Sequence, residues 1–578
     1  MNILVVHSQD SPLDGQWSRA KWDMVLDLGV AGGSSYQDWA RMLNCPVYGL
    51  NAMHRAEDSK RLRELMKFAR GKIVDDYGLD WWDLNLVFFY QQLDEIILLT
   101  RVAREWADST QITVTRPCFQ GSVLRAMFGQ RVSTAEPTAW SAAAARVQHY
   151  GRVLKKFSVA QLGEILGDKY DPAYSLRRRI AANPEFTRNS VVLVPSAYAN
   201  ASKMVAAYAR MVPEQEFLLV ATRRSGALIT VPPNVRIVSL ASYAPDKRSN
   251  REVESLLKKW LALLRDMEVF PELFLFAEIG GFQEFPRMLA TGLAVRDAWS
   301  RVFEHHDISA VFSGDEGNPY VCVPMLLANQ RGIATVSVHH GALDGRFRWK
   351  SPAADVLLAK SRMEADYLTR ICAVAPDKVV LGAPGPPLNA PTASRSGVGD
   401  ILVFSEPYEI YGGRTEVIYR DLLPPLCRLA HQERRRVVLK LHPFESARER
   451  RRFANNILQE QDQAVLDIIS GPLTSELLSR TWFGVTVQST VVTECAVAGI
   501  PCFLCGWLAE RSLEYAQQFA KFGAGVLLTS ADEIADIPQR LAAGSTASPD
   551  DLWSPLSPDT LRVLLNGVRE TCAAVAAG

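Results

Sequence analysis

No run of eighteen residues in this chain is free of charged or polar interruption, so no segment is long and apolar enough to be predicted as a membrane-spanning helix. The apolar run at residues 3–6 is too short, and lacks the basic lead, for a secretory signal; it reads as a first buried strand. Charge of one sign is missing too. Lys and Arg total 64 against 63 Asp and Glu, and a net charge of +1 gives no electrostatic footprint for DNA or RNA as the main partner. Cysteine is too scarce and too irregular for a disulfide framework, at nine in 578 residues, which predicts a reducing, cytoplasmic setting. The lone C-x-x-C, Cys502 and Cys505, follows a Gly-Ile-Pro turn with no second pair and no neighbouring histidine, so core packing is expected rather than a zinc or redox site.

Site signatures are absent as well. There is no G-x-x-x-x-G-K-[ST] loop, which argues against P-loop NTPase chemistry, and no G-x-G-x-x-G after a strand, which argues against a dinucleotide dehydrogenase. H-E-x-x-H and G-x-S-x-G are missing. So is Asp-x-Asp, the pair that would hold a divalent metal with a sugar nucleotide; the expectation is a site with no metal and no cofactor.

What is present is an α/β pattern. At 578 residues the chain exceeds the size of one growing core, and 48% apolar with 22% charged residues is an ordinary globular composition. Short apolar runs without polar alternation recur at 191–194, 217–221, 310–312, 334–338, 401–404 and 437–441, each followed by a turn and an amphipathic stretch. Such strands are buried on both faces, as in parallel sheets covered by crossover helices. The clearest long helices are predicted at 81–106 and 253–267. Segment 382–399 holds four prolines and four glycines in eighteen residues and reads as a linker. The predicted organisation is a domain over 1–385, with a subdivision near 185, a linker at 386–400, and a domain over 401–578 whose final helices return to the first.

Three motifs could carry chemistry. Asp315-Glu316-Gly317 follows the apolar run 310–312, so it sits where ligands bind in open α/β sheets, beyond the carboxyl end of a strand. Adjacent carboxylates repel, which suits acid/base work; an acidic helix start is the structural alternative. Lys440-Leu-His442-Pro443 ends a strand, with Lys440 and His442 on one face and Pro443 stopping it. A cation and an imidazole there could contact phosphate, or His442 could be a satisfied strand-end histidine. Ser489-Thr490 lies between an apolar strand and a short helix, offering hydroxyls and free N–H groups to an anion, or an ordinary N-cap.

In kind and order, Asp315-Glu316-Gly317, His442-Pro443 and Ser489-Thr490 resemble the motifs of bacterial GT-B glycosyltransferases that use CMP-activated ulosonic acids, the sialyl- and polysialyltransferases and the Kdo (3-deoxy-D-manno-octulosonic acid) transferases. The segment 27–41 and Ser337-Val-His339-His340-Gly341 also look like capsule and lipopolysaccharide transferases. The resemblance implies a GT-B fold, two Rossmann-like domains with parallel sheets facing a central cleft. It implies Asp315 as the catalytic carboxylate, with Glu316 second and His340 as a further acid/base or donor contact. Lys440 and His442 would meet the donor phosphate, Ser489 and Thr490 would bind it, and Glu476 or Glu494 would take the ribose hydroxyls.

The expected activity is transfer of Kdo or a related ulosonic acid from a CMP-activated donor to an oligosaccharide or lipid-linked glycan acceptor. The large N-terminal region and linker, which resemble retaining β-Kdo transferases, favour Kdo and a covalent Asp adduct. Basic clusters at 434–436 and 448–452 are solvated faces or, at most, a peripheral contact with an anionic membrane. The rivals are a transferase or epimerase using a UDP-sugar, a transferase using a CDP-polyol, and a non-catalytic glycan-binding assembly factor.

Overall fold

The computed structural model describes all residues except 8–9, 11–16, 18–19, 30–33, 136–186, 245–249, 386–398, 409–414, 444, 510–512, 544–548 and 567–578. The proposed subdivision near 185 and most of the linker lie outside the described residues. The chain is α/β throughout, with three parallel sheets. The first contains β1 (Asn2–Val6), β2 (Met24–Asp27), β3 (Val47–Gly49), β4 (Gln111–Val114) and β5 (Val132–Thr134), in the order β3-β2-β1-β4-β5. The second contains β6 (Thr187–Ser196), β7 (Phe217–Ala221), β8 (Val235–Ser239), β9 (His306–Ser313), β10 (Ala334–Val338), β11 (Val356–Ala359) and β12 (Val379–Leu381), ordered β12-β11-β10-β9-β6-β7-β8. The third contains β13 (Asp400–Phe404), β14 (Val437–Lys440), β15 (Leu466–Ile469), β16 (Thr481–Thr486), β17 (Cys502–Cys505) and β18 (Val526–Leu528), ordered β15-β14-β13-β16-β17-β18. All pairings among these strands are parallel.

The strands carry unbroken apolar runs because both faces are covered: β7 and β10 are buried at every position. Two compact units result. One comprises Met1–Ala56, Leu98–Glu136 and Pro386–Trp553, and holds the five- and six-stranded sheets; the other comprises Glu57–Ile97, Pro137–Gly385 and Ser554–Gly578, and holds the seven-stranded sheet. The helix Pro558–Asn566 places Leu561, Leu564 and Leu565, at helical spacing, in the same core as Val192, Phe312 and Val336 of the seven-stranded sheet.

The helix predicted over 81–106 is in fact three pieces: Trp81–Asn85, a 3-10 turn at Leu86–Phe88, and Tyr90–Arg104. Residues 81–90 are dominated by aromatic and polar types of modest helix propensity, so packing decides the backbone. Trp82 and Phe89 lie in an aromatic cluster in which Phe89 meets Phe282 at 5.4 Å between ring centroids. The Cys502/Cys505 pair behaves as expected of core residues. Both are buried in β17, three positions apart and therefore on opposite faces, and Cys502 packs on Gly484. Among the described residues, no helix is long and apolar enough to cross a membrane.

Candidate active site

In the seven-stranded sheet the chain runs outward from β6 through β7 and β8, then returns to the other side of β6 with β9 and continues to β12. The strand order therefore reverses between β6 and β9, and the crevice beyond their carboxyl ends is the expected ligand position. Two loops leave there, Ser196-Ala197-Tyr198 and Ser313-Gly314-Asp315. Gly314 is required by contact, since a Cβ at that position would overlap the Ala201 carbonyl in the helix Ala199–Ala209. Ser313 Oγ donates to the Asp315 carbonyl at 2.6 Å and accepts from its N–H at 3.3 Å, which fixes the turn and leaves the Asp315 carboxylate buried. Asn318 then caps the helix Pro319–Gln330 by accepting from the N–H of Tyr320 at 2.9 Å.

The facing groups come from the segment after β10. Asp344 opens the 3-10 turn Gly345–Arg348 and receives Arg346 Nε and Nη2, each at 2.8 Å, in a two-pronged ion pair. The same Nη2 donates to Asp315 Oδ1. One guanidinium thus serves two buried carboxylates. Burial alone would raise both, but the positive charge of Arg346 outweighs it, holding Asp315 below the usual carboxylate range and Asp344 well below it. Asp315 is ionised at neutral pH.

Gly317 makes this approach possible. A Cβ built on Gly317 would fall on the Arg346 guanidinium. Gly317→Ala should therefore push Arg346 off Asp315 and lower the thermal midpoint by several degrees; a variant with unchanged midpoint and activity would show the close approach to be dispensable.

Glu316 sits elsewhere in the same turn. Its carboxylate accepts from the N–H of Ala353 at 2.7 Å and of Ala354 at 3.3 Å, while its carbonyl accepts from Lys350 Nζ. Burial raises its pKa against the opposing Lys350 charge. These contacts make it an anchor for the backbone ahead of β11 and do not join it to the Asp315–Arg346 pair. The histidines of the His339-His340-Gly341 segment stand 4.4 Å apart between ring centroids. Nδ1 of His340 is 3.0 Å from the Tyr198 hydroxyl, whose pKa is raised by burial and by the nearby Asp315 charge. Burial lowers both histidines, His339 to about 3, so both rings are neutral near pH 7. Among the described residues, the buried Nδ1 of His339 has no hydrogen-bond partner.

Asp315, His339 and His340 each bring one ligand atom within 4.8 Å of the others, a donor set of the kind that holds divalent metals. Arg346 already donates to Asp315, and Tyr198 is bonded to His340. A cation there would lie beside the Arg346 guanidinium, whose positive charge opposes it.

The six-stranded sheet has its own reversal, between β13 and β16. Lys440 ends β14 nearly buried; Nζ donates to the Leu441 carbonyl at 2.8 Å, and its charge is opposed by burial and supported by Glu445 and Glu494. The His442 ring is half-buried, lowered by burial and by Lys440, and Pro443 is exposed in the following turn. Ser489 Oγ accepts from the Val491 N–H at 3.4 Å, and Thr490 precedes the seven-residue helix Val491–Val497 without a side-chain cap bond. Glu494 lies in that helix near Lys440, whereas Glu476 is exposed in the helix Ser475–Ser479.

Sequence reasoning missed five groups. In the seven-stranded sheet these are Tyr198, Asp344 and Arg346. Tyr198 follows an apolar run by the same rule that selected Asp315, and Asp344-Gly-Arg346 follows His339-His340-Gly341 within a few residues. In the six-stranded sheet they are Glu406 and Glu445. Glu406 accepts from Thr486 Oγ1 at 3.1 Å and from the Gln488 N–H at 2.9 Å, and burial pushes it up to about 7. Glu445 accepts from Ser405 Oγ at 2.8 Å, the His442 N–H at 2.7 Å and Arg450 Nε at 2.7 Å. Each lies within a few residues of a strand end, but nothing in the sequence marks either as buried.

No protein-family model and no curated protein sequence matches the chain. Among solved structures, the UDP-GlcNAc 2-epimerase of Methanocaldococcus jannaschii matches with a TM-score of 0.43 at 10% identity, over 65% of this chain and 99% of that one. The UDP-GlcNAc 2-epimerase of Neisseria meningitidis matches with a TM-score of 0.39 at 12% identity, over 67% and 98%. A glycosyltransferase from Rickettsia africae matches with a TM-score of 0.38 at 10% identity, over 68% and 94%.

Proposed function

We propose that this chain is a GT-B-type glycosyltransferase that moves Kdo, or a related ulosonic acid, from its CMP-activated donor to a bacterial surface glycan, without a metal ion or cofactor. The observation that carries this reading is the cluster at the β6/β9 reversal, in which an ionised Asp315 lies within 4.8 Å of a neutral His340. An ionised carboxylate beside a neutral imidazole is an acid/base centre at neutral pH, able to take the proton of an attacking hydroxyl. Within the unit that holds the six-stranded sheet, Lys440, His442 and the Ser489–Thr490 turn offer a cation, an imidazole and hydroxyls, the groups proposed here to bind a nucleotide monophosphate. The acceptor is an oligosaccharide or lipid-linked glycan in this reading, met in the cytoplasm or at the inner membrane face.

A thermal-shift panel of CMP, CDP, UMP and UDP tests the donor. CMP should give the largest upward shift, and His442→Ala and Ser489→Ala should each weaken its binding by roughly tenfold to hundredfold, the loss of one charge-assisted hydrogen bond of about 1.5–3 kcal/mol. A preference for UDP would overturn the ulosonic-acid donor. Transfer from CMP-Kdo should survive EDTA; a strict need for Mg²⁺ or Mn²⁺ would overturn the metal-independent site.

A further inference from the structure

We propose that Glu406 contacts the bound nucleotide, its Oε2 accepting a hydrogen bond from a neutral donor of the nucleoside, the exocyclic amine of cytosine or a ribose hydroxyl. This rests on the reading above that a nucleotide binds in the unit holding the six-stranded sheet, and it names a group that recognises it.

The chain leaves β13 outward through β14 and β15, then returns on the other side of β13 with β16. Ligands of open parallel sheets lie beyond the carboxyl ends of the strands at such a reversal. Phe404, the last residue of β13, is in register with Thr486, the last of β16. Glu406 stands two positions past that pair and reaches across to the β16 side. Its Oε1 accepts from Thr486 Oγ1 at 3.1 Å and from the Gln488 N–H at 2.9 Å, so both bonds fall on one oxygen. The Ser489 N–H, also close to Glu406, donates to Thr486 Oγ1 at 3.2 Å. Among the described residues, Oε2 receives no hydrogen bond and no ion pair reaches the carboxyl group. The cations at this end of the sheet are engaged elsewhere: Lys440 Nζ donates to the Leu441 carbonyl at 2.8 Å, and Arg450 Nε to Glu445 at 2.7 Å.

Glu406 is only 8% exposed, and a carboxylate so placed ordinarily has donors on both oxygens. Here one oxygen is doubly held and the other is not. Burial pushes the group up to about 7 against the two donors on Oε1, and the Glu445 charge pushes the same way. A further donor on Oε2 would favour the ionised form, and a ligand can supply it. That donor is not a phosphate, which is anionic, accepts only, and is repelled by a carboxylate. It is an N–H or O–H of the neutral part of a nucleotide. The Gln488 amide held by Glu406 adjoins Ser489, so the carboxylate and the turn given to the phosphate share one loop. Cytosine carries an amine where uracil carries a carbonyl oxygen, so a carboxylate accepts from the first and repels the second. A ribose hydroxyl would serve with either base.

Glu406→Gln tests this directly, because its amide oxygen can keep the Thr486 and Gln488 bonds while an NH2 group replaces Oε2, and donor then faces donor. The variant should melt at or above the wild-type temperature, since a buried charge is removed. Titration calorimetry of the full chain at pH 8 should show CMP bound roughly tenfold to hundredfold more weakly by the variant. If the contact is the amine, UMP affinity stays as in the wild type and the gap between CMP and UMP closes; if it is a ribose hydroxyl, CMP and UMP weaken alike. Unaltered CMP affinity in a folded variant overturns the proposal and leaves the donor reading standing. A wild type that prefers UMP or UDP overturns the donor reading, and the proposal then stands if Glu406→Gln weakens that nucleotide and falls if it does not. A wild type that binds none of these nucleotides overturns both. Crystals of the wild-type chain with its preferred nucleotide give a second measurement that does not need the variant. A nucleoside nitrogen or oxygen should lie within about 3.2 Å of Oε2; a Glu406 carboxylate that touches no ligand atom overturns the proposal.

Discussion

Asp315→Asn should reduce turnover by about 10²- to 10⁴-fold while leaving CMP binding intact, because it removes the charge on which the proton-handling cluster depends. The substitution preserves volume, so the turn held by Ser313 and the Gly314 contact should survive. It replaces an acceptor with a group that can also donate. Arg346 keeps Asp344 but loses its second carboxylate. The loss should therefore appear in kcat, with a small change in melting temperature. Incubation with donor and no acceptor, followed by intact-protein mass spectrometry, separates two roles for the carboxylate. A protein of unaltered mass agrees with Asp315 acting on a proton and not on the sugar. An added ulosonic acid mapped to Asp315 would make it the nucleophile of a retaining reaction. Full activity in Asp315→Asn would remove Asp315 from the mechanism.

The α/β class and its strands were legible because both faces of each sheet are covered: runs such as Val191-Val-Leu-Val194 have no polar alternation, and nothing but a strand buried on both sides suits them. Asp315 was legible for a topological reason, as a carboxylate among glycines just past such a strand. Its neighbour Glu316 reads identically in sequence, yet one step along the turn directs it to the Ala353 and Ala354 amides and away from that role. The Arg346 fork was not legible. Thirty-one positions separate it from Asp315, and the pair depends on the absence of a side chain at Gly317, which sequence shows only as one more turn glycine. The break in the helix predicted at 81–106 was hidden for a similar reason, since periodicity cannot foresee an aromatic cluster that includes Phe282 and Phe285. In the six-stranded sheet Lys440 was read as a phosphate cation; the structure adds the flanking Glu445 and Glu494, which support its charge against burial.

Arg346→Met should be among the most destabilising single changes in this chain, and its cost should depend on pH in the direction opposite to the wild type. The guanidinium is mostly buried, with 22% of its side chain exposed, between carboxylates that are 3% and 4% exposed. Removing one partner of a buried ion pair strands the charge that remains, at about 3–5 kcal/mol. In the wild type the folded-state pKa values of Asp315 and Asp344 lie below those of an unfolded chain, near 3.9. Their contribution to stability is therefore present above that value and is lost as pH falls through the folded-state values. Without Arg346 only burial remains as a large influence, and it acts the other way, raising both groups above their unfolded values. Stability of the variant should then be greatest where both carboxyls are protonated and should fall as pH rises through the raised values. Thermal midpoints measured for both proteins at pH 5 and pH 8 test this, with a gap that widens at pH 8. A gap of equal size at both values, or a variant as stable as the wild type, would mean that Arg346 does not hold the two carboxylates ionised, and the charge assignment at the centre of the site would fall with it.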